Sequence, residues 1–338
     1  MKAISIEKPN EIVVKQVSLP TVNSNEALVR IKSVMICGSD VSAYKGRGVQ
    51  IDYPRIIGHE VAGVIEQVGE NDGGLKNGDH VLLNPYIYCG ECYSCKQGRT
   101  NACEQLEVLG VQTDGAMSEY FAHPTKLLIK VSNEIPWELV PLAEPLTIAM
   151  HALHRTKLTA GEHVVIIGVG SIGLYAAQIA LAYGAVPIVL DVVDSRLENA
   201  KKYGVKCVIN NKKQDSIAMI REITDGRMAE VVVEASGVKS EIRRTVDYAS
   251  YLGRIAFTGW PTGETPILTP MITKKELDIR GSRTGVKEEL EESILLMQSG
   301  KVDVKSVLSE VVAFDELPDA VRRIASNPTD YLKIGSVF

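Results

Sequence analysis

Four of the six cysteines lie between residues 89 and 103, in the pattern Cys89-x2-Cys92-x2-Cys95-x7-Cys103. Four thiolates this close in sequence can surround one Zn²⁺ tetrahedrally, and a complete set of sulfur ligands leaves no position for a substrate. The pattern therefore predicts a structural zinc site that stabilises a loop rich in Gly, Ser, Asn and Lys. An iron–sulfur cluster also uses four cysteines, although the ferredoxin spacing with its following proline is absent. In an exported protein the same cysteines would pair as disulfides instead.

A glycine-rich motif stands in the second half of the chain, as Gly168-Val169-Gly170-Ser171-Ile172-Gly173. It directly follows the apolar run His163–Ile167 and opens a predicted helix, which is the context that dinucleotide binding requires. Gly168 would permit the tight turn, Gly170 the approach of the pyrophosphate, and Gly173 the close packing of helix and strand. Because the N-terminus of a helix attracts anions, the helix from Ser171 is expected to face the pyrophosphate.

The next predicted strand ends at Asp191, 18 residues after Gly173. An acidic side chain at this point can accept hydrogen bonds from the ribose hydroxyls, and it would repel the extra phosphate of NADP. Arg196 is a candidate to lie over the adenine, and an exposed helix arginine is the equal alternative. NAD is therefore the predicted cofactor, while a strand-end turn residue is the alternative interpretation of Asp191.

The elements that must position these residues differ between the two parts of the chain. Up to about residue 145, short β-like runs alternate with turn residues, which predicts an irregular, mainly antiparallel β domain. From residue 148 onward, apolar strands alternate with helices, which predicts a doubly wound parallel sheet of the Rossmann type. The predicted α/β architecture thus has a catalytic domain, 1–147 and 285–338, and a dinucleotide-binding domain, 148–284. The tail is expected to pack back on the first domain.

Composition excludes several classes of partner. The 338 residues carry a net charge of -5 and are 45% hydrophobic and 23% charged, as in a soluble globular protein. This balance gives no general attraction for nucleic acid or an anionic membrane. Because no apolar run approaches a membrane span and residues 1–10 lack a signal segment, we expect a cytoplasmic protein.

Several motifs in a fixed order resemble the zinc-containing medium-chain dehydrogenase/reductase family, which includes alcohol, sorbitol and threonine dehydrogenases. The resemblance runs from about Glu26 to the C-terminus and implies a GroES-like catalytic domain beside the Rossmann domain. Its motifs are Cys37-Gly38-Ser39-Asp40, Gly58-His59-Glu60, the cysteine-rich lobe, Ala143-Glu144-Pro145-Leu146 and the glycine-rich turn.

The resemblance implies a second, catalytic zinc ion, so that two Zn²⁺ are expected per chain. Cys37 and His59 match two of its ligands and Glu144 matches the third, while Glu60 lies close enough in such enzymes to replace a water as ligand. Asp40 is expected to accept the second ring N–H of His59. Such a set leaves one zinc position for the substrate oxygen.

The resemblance also implies the chemistry. Zinc lowers the pKa of a bound hydroxyl, and the substrate carbon then passes hydride to C4 of the nicotinamide. Ser39 would hydrogen-bond the substrate oxygen and begin a proton relay to solvent. Two positions depart from the family pattern: Ser42 replaces a relay histidine, which leaves the proton exit route open, and Asp72 replaces a small or apolar residue, which we interpret as a surface variation.

The predicted substrate is a polyol or sugar acid. The likeness is greatest to bacterial hexonate dehydrogenases of the L-galactonate and L-gulonate 5-dehydrogenase type, on the runs Lys96–Asn101 and Lys274-Lys275-Glu276 leading to Gly281-Ser282-Arg283. Arg283 is the candidate for a substrate carboxylate or hydroxyl, since a guanidinium binds carboxylate bidentately, and a salt bridge at the domain junction is the equal alternative. Other possibilities are a sorbitol- or threonine-type dehydrogenase and a zinc- and nucleotide-binding regulator without catalysis. Relatives imply a homo-oligomer, either dimer or tetramer.

Overall fold

The computed structural model describes residues 1–48 and 51–338. These residues divide into two compact units: the first comprises 1–144, 286–294 and 308–338, and the second comprises 145–285 and 295–307. Among the described residues, no helix combines the length and apolar character that a bilayer crossing needs.

The first part of the chain is built mainly from strands. Its elements are β1 (Lys2–Lys8), β2 (Glu11–Gln16), β3 (Glu26–Met35), α1 (Gly38–Tyr44), β4 (Arg55–Ile56), β5 (Glu60–Val68), β6 (His80–Leu83), β7 (Tyr86–Ile87), α2 (Tyr93–Lys96), β8 (Glu107–Val108), β9 (Tyr120–Pro124) and β10 (Leu128–Lys130).

Strands and helices alternate through the middle of the chain. The elements are α3 (Ala143–Thr156), β11 (His163–Ile167), α4 (Ser171–Ala182), β12 (Val186–Asp191), α5 (Asp194–Lys202), β13 (Cys207–Asn210), α6 (Ser216–Ile223), β14 (Ala229–Glu234), α7 (Lys239–Tyr248), β15 (Ala249–Phe257), α8 (Thr269–Lys275) and β16 (Asp278–Gly281). The tail adds α9 (Lys287–Gln298), β17 (Leu308–Val312), α10 (Leu317–Ser326) and β18 (Lys333–Val337).

The first unit contains a seven-stranded sheet in the order β10-β6-β5-β3-β18-β17, with β9 also paired to β3, and a three-stranded sheet β2-β1-β4. Apart from the parallel pair β17–β18, the pairs in these two sheets are antiparallel. The predicted mainly antiparallel β domain is therefore confirmed. Strand β18 enters the sheet beside β3, so the end of the tail packs with the N-terminal strands.

The second unit is built on a six-stranded parallel sheet in the order β13-β12-β11-β14-β15-β16. Its central strand β11 is buried from Val164 to Ile167, as expected for a strand covered on both faces. The chain runs outward in one direction from β11 and in the other from β14, so the topological switch point lies between these strands. The predicted doubly wound Rossmann sheet is confirmed.

One part of the tail differs from the sequence-based expectation. Residues 295–307 pack with the second unit, although the whole segment 285–338 was expected to belong to the first. The reason is a set of hydrogen bonds to helix α4: the Tyr175 hydroxyl donates to the Val304 carbonyl at 2.8 Å, and Gln178 donates to Ser306 at 2.8 Å. Both partners on α4 are buried.

Three glycines in the first unit meet backbone to backbone, and we call them the glycine seam: Gly58, Gly110 and Gly115. A Cβ placed on Gly58 would lie 2.7 Å from the Met117 side chain, one on Gly110 2.6 Å from the Gly58 nitrogen, and one on Gly115 2.4 Å from the Ile57 oxygen. These distances leave no room for a methyl group. The seam therefore fixes the chain immediately before His59.

Candidate active site and dinucleotide site

Three side chains of the first unit bring their ligand atoms within 4.8 Å of one another: Cys37, His59 and Glu60. Cys37 stands immediately before helix α1, His59 immediately before β5, and Glu60 is the first residue of β5. The antiparallel pairing of β3 with β5 places Met35 opposite Glu60, which brings the two chain segments side by side. The structure thus assembles three of the four predicted catalytic zinc ligands.

Asp40 lies behind this cluster and is buried. Its Oδ2 accepts a hydrogen bond from the Cys37 backbone N–H at 2.8 Å, and its Oδ1 lies 3.9 Å from His59 Nδ1. The carboxylate therefore lies beside the imidazole, but 3.9 Å is longer than a hydrogen bond, so the predicted bond from the second ring N–H stays a prediction. Burial lowers the pKa of His59, but the neighbouring Cys37, Asp40 and Glu144 raise the pKa well above its usual 6.5.

Glu60 forms an ion pair that the sequence did not indicate. Its Oε1 accepts from the Lys333 ammonium, and both side chains are buried. Lys333 lies on β18, where it also contacts the Ile36 carbonyl at 3.4 Å. Burial lowers the pKa of Lys333, but the charges of Glu60 and Cys37 outweigh burial and raise it above 10.5. Lys333 is the first residue of β18, and its local sequence does not indicate that it is buried.

Glu144 is the predicted third zinc ligand, and that role stays a prediction. Its Oε1 accepts a hydrogen bond from the Tyr86 hydroxyl, and both residues are buried. Burial, followed by the charge of Glu60, raises the pKa of Glu144 from 4.5 to about 7. Burial, together with the charge of Glu144, raises the pKa of Tyr86 well above 10. Glu144 is therefore near the cluster, but Glu60 and not Glu144 completes the close set of three.

The cluster fits a catalytic zinc ion. It offers a thiol sulfur, an imidazole nitrogen and a carboxylate oxygen, which are the three ligand types of protein zinc sites, and three protein ligands leave a fourth position open. Glu60 Oε2 and Asp40 Oδ1 are buried without a hydrogen-bond partner in the described structure. Buried acceptors without donors are costly unless a cation or a ligand satisfies them.

The hydroxyl of Ser39 lies 3.4 Å from His59 Nε2, so this residue stands beside the predicted metal position. The Ser42 hydroxyl donates instead to the Gly38 carbonyl at 2.9 Å, within helix α1. Asp72 is exposed, as a surface variation requires.

The four cysteines of the lobe converge as their spacing predicts. Their sulfur atoms all lie within 4.8 Å of one another, and Cys103 Sγ is 3.5 Å from Cys89 Sγ and 3.9 Å from Cys92 Sγ. Four sulfurs about 2.3 Å from one zinc ion would be roughly 3.8 Å apart, so the cage has the right size. None of the four forms a disulfide. Strands β7 and β8 pair at the base of the lobe, with Tyr86 opposite Val108.

The glycine-rich turn in the second unit has the predicted geometry. A Cβ on Gly173 would lie 1.8 Å from the Gly168 carbonyl oxygen, whereas the space around Gly170 is open to 4 Å. Gly168 has a φ of +89°, which favours glycine. Gly170 is the N-cap residue of helix α4, whose first two residues are Ser171 and Ile172. The turn can therefore receive a pyrophosphate at the open glycine and at the N-terminus of the helix.

Asp191 ends strand β12 beside this turn. Its Oδ2 accepts from the Val169 N–H at 2.6 Å, and its Oδ1 accepts from the Val193 N–H at 2.9 Å. Both carboxylate oxygens thus fix the backbone around the cofactor position and retain lone pairs for ribose hydroxyls. Arg196 lies in the first turn of helix α5, and Arg283 follows β16; their predicted contacts with adenine and substrate remain predictions.

Two family models match the chain. The alcohol dehydrogenase GroES-like domain matches residues 23–133, and the zinc-binding dehydrogenase domain matches residues 171–299. An uncharacterized zinc-type alcohol dehydrogenase-like protein of Haemophilus influenzae is 50% identical, over 100% of this chain and 99% of its own length. The L-galactonate-5-dehydrogenase of Escherichia coli is 35% identical, over 98% of both chains. The sorbitol dehydrogenase of Bacillus subtilis is 33% identical, over 99% of this chain and 96% of its own.

Among solved structures, an alcohol dehydrogenase from Escherichia coli CFT073 in complex with NADH superposes with a TM-score of 0.94 and 32% identity, covering 100% of this chain and 99% of the other. The matches span both units and agree with the zinc and dinucleotide sites described above. The chain therefore belongs to the zinc-containing medium-chain dehydrogenases, oxidoreductases that act on alcohols with zinc and a nicotinamide dinucleotide as cofactors.

Proposed function

We propose that the protein oxidises a secondary hydroxyl of a sugar acid, a hexonate such as L-galactonate or L-gulonate, and uses NAD as the hydride acceptor. The observation that carries the reaction type is the set of half-buried Cys37 and buried His59 and Glu60, whose ligand atoms lie within 4.8 Å of one another. The substrate class is supported by the 35% identity to L-galactonate-5-dehydrogenase over almost the whole chain. The preference for NAD is supported by Asp191 at the end of β12.

Cys37, His59 and Glu60 would hold the catalytic zinc, which supplies a Lewis acid that lowers the pKa of a hydroxyl group. Asp40 keeps the cluster in place through the Cys37 N–H and lies beside the second nitrogen of His59. A carboxylate in this position orients the imidazole and increases its basicity. Lys333 holds one oxygen of Glu60, so that this carboxylate is fixed in orientation.

Two groups of the chain are placed to move the proton of the substrate hydroxyl. Ser39 is exposed and its hydroxyl lies 3.4 Å from His59 Nε2, so it can exchange a proton with solvent. Glu144 is the second candidate: burial raises its pKa to about 7 in the metal-free chain, and the Tyr86 hydroxyl fixes its orientation. Ser42 is engaged within helix α1, so we assign the first proton acceptor to Ser39.

The test is a substrate panel monitored by NADH absorbance, run with NAD and with NADP. Hexonates, neutral polyols and L-threonine are compared by kcat/KM. We expect the highest value for a hexonate with NAD. A higher value for a neutral polyol or for threonine would replace the substrate class and leave the reaction type intact. Failure of the zinc-loaded protein to reduce NAD with any of them would overturn the proposal.

A pair of variants tests the role of Arg283. Arg283→Ala should raise KM for a hexonate about 10- to 100-fold, because a charge-assisted hydrogen bond contributes about 1.5–3 kcal/mol. KM for the matching neutral polyol should change little. Arg280→Ala is the control, since the Arg280 guanidinium donates to the Arg155 carbonyl and pairs with Asp278. Equal changes for acid and polyol would remove Arg283 from the substrate site.

A further inference from the structure

Glu234 is a buried carboxylate that the proposed reaction does not use. It is the last residue of β14 and its side chain is fully buried. Its Oε1 accepts three hydrogen bonds from the turn that follows: from the Ser236 N–H at 2.8 Å, from the Ser236 hydroxyl at 2.5 Å and from the Gly237 N–H at 2.9 Å. One oxygen therefore closes the turn formed by residues 235–237.

This turn packs directly on the glycine-rich turn of the dinucleotide site. A Cβ on Gly168 would lie 2.9 Å from the Ser236 Cβ, so the two segments are in close contact. The Ala235 N–H donates to the Ile167 carbonyl at 3.0 Å, immediately before Gly168. Any movement of the 235–237 turn would therefore change the surroundings of Gly168.

The same side chain also lies against the end of the next strand. A Cβ on Gly259 would be 2.3 Å from Glu234 Oε2, and the N–H groups of Thr258 and Gly259 donate to the Glu234 carbonyl at 2.9 and 3.1 Å. Glu234 thus contacts the loop after β15 directly and the loop after β11 through Ser236. These loops stand at the carboxyl ends of three adjacent strands, around the switch point where a dinucleotide binds in such sheets.

An apolar residue would fill this position at a lower cost in solvation, because a buried carboxylate is expensive unless it is hydrogen-bonded. Burial raises the pKa of Glu234, and its hydrogen bonds to Ser236 and Gly237 oppose that shift. The three donors are the evident reason for a carboxylate here. We propose that Glu234 is a positioning residue of the dinucleotide site, which holds the 235–237 turn against Gly168 and thereby sets the affinity for NADH.

Direct NADH binding tests the inference without any substrate, so its outcome does not depend on which alcohol is oxidised. The zinc-loaded protein is titrated with NADH and followed by nucleotide fluorescence. Glu234→Ala leaves the three donors without an acceptor and should raise the Kd at least about tenfold. Glu234→Gln retains an acceptor oxygen in the same place and should bind NADH within about threefold of the unchanged protein.

Glu230→Ala is the matched control, because Glu230 lies on the same strand but near its amino end, where its carboxylate accepts from the His163 N–H at 2.8 Å. This variant should lower the unfolding temperature and leave the Kd for NADH unchanged. Glu234→Asp keeps the charge but shortens the side chain by one methylene, so it too should raise the Kd for NADH. This variant replaces Glu234→Ala in the test if the alanine variant does not fold. An unchanged Kd in Glu234→Asp, or an equal increase in Glu230→Ala, would overturn the inference.

Discussion

The buried ion pair between Lys333 and Glu60 gives a prediction that can be worked through in detail. Lys333→Met removes the cation, keeps a similar side-chain volume and leaves the Glu60 carboxylate without its donor. The two side chains are 5% and 0% exposed, so water cannot replace the lost partner. Breaking a buried pair by removing one member costs about 3–5 kcal/mol.

For a domain of roughly 150–250 residues, each kcal/mol corresponds to about 2–4 °C in Tm. The metal-free protein should therefore lose about 6–20 °C. Because the folded-state pKa of Lys333 is raised above 10.5, its contribution is fully present below that pH and is lost only as the pH rises further. The Lys333 ammonium is therefore charged, and its contribution is present, at both pH 6 and pH 9. With zinc bound, the metal charge partly compensates Glu60, and the loss should be smaller.

The assay is calorimetry or urea unfolding of four proteins: the unchanged chain, Lys333→Met, Glu60→Leu and the double variant. Replacing both partners with apolar residues is often close to neutral, so the double variant should be more stable than Lys333→Met alone. A coupling energy of at least about 2 kcal/mol is expected from this cycle. Additive effects, or a loss below about 1 kcal/mol in Lys333→Met, would refute the assignment of Lys333 as the counter-ion of Glu60.

Three further predictions concern other parts of the chain. Burial lowers the pKa of His123 from 6.5 to about 4. Because the unfolded chain binds this proton at a higher pH than the folded chain, the free energy of unfolding should fall by about 3 kcal/mol as the pH drops from 6.5 towards 4. His123→Gln should flatten that slope in urea unfolding. Asp191→Asn removes the charge that would repel the extra phosphate of NADP but keeps an acceptor for the Val169 N–H. The ratio of kcat/KM for NAD to kcat/KM for NADP should fall at least about tenfold, and an unchanged ratio would contradict the role of Asp191 in cofactor preference. Cys103→Ser should reduce the zinc content from two ions to one by mass spectrometry, whereas Cys207→Ser, in β13, should keep both; equal zinc contents would exclude a metal in the lobe.

Much of the second unit was predictable because its signals are local. An apolar strand followed by a glycine-rich turn and a helix identifies its own elements. The strand His163–Ile167, the start of a helix at Ser171 and the end of a strand at Asp191 agree with the prediction. The four cysteines of the lobe are likewise close in sequence, so their convergence follows from spacing alone.

The contacts that were missed join residues far apart in the chain. Tyr86 lies 58 residues from Glu144, and Lys333 lies 273 residues from Glu60. No periodicity or motif links such pairs, because their meeting depends on which strands become neighbours in the folded sheet. The packing of residues 295–307 on helix α4 was missed for the same reason: the side chains that hold it, Tyr175 and Gln178, are ordinary residues of a helix.

The glycine seam has a consequence for how this enzyme tolerates mutation. Gly58, Gly110 and Gly115 bear no functional group, yet a single methyl at any of them collides with main chain or with the first carbons of a side chain. A saturation scan would score all three as sharply as the metal ligands themselves, for steric reasons alone. Attempts to broaden the range of accepted alcohols by random mutagenesis should therefore find no useful variants at these three glycines and should target other positions.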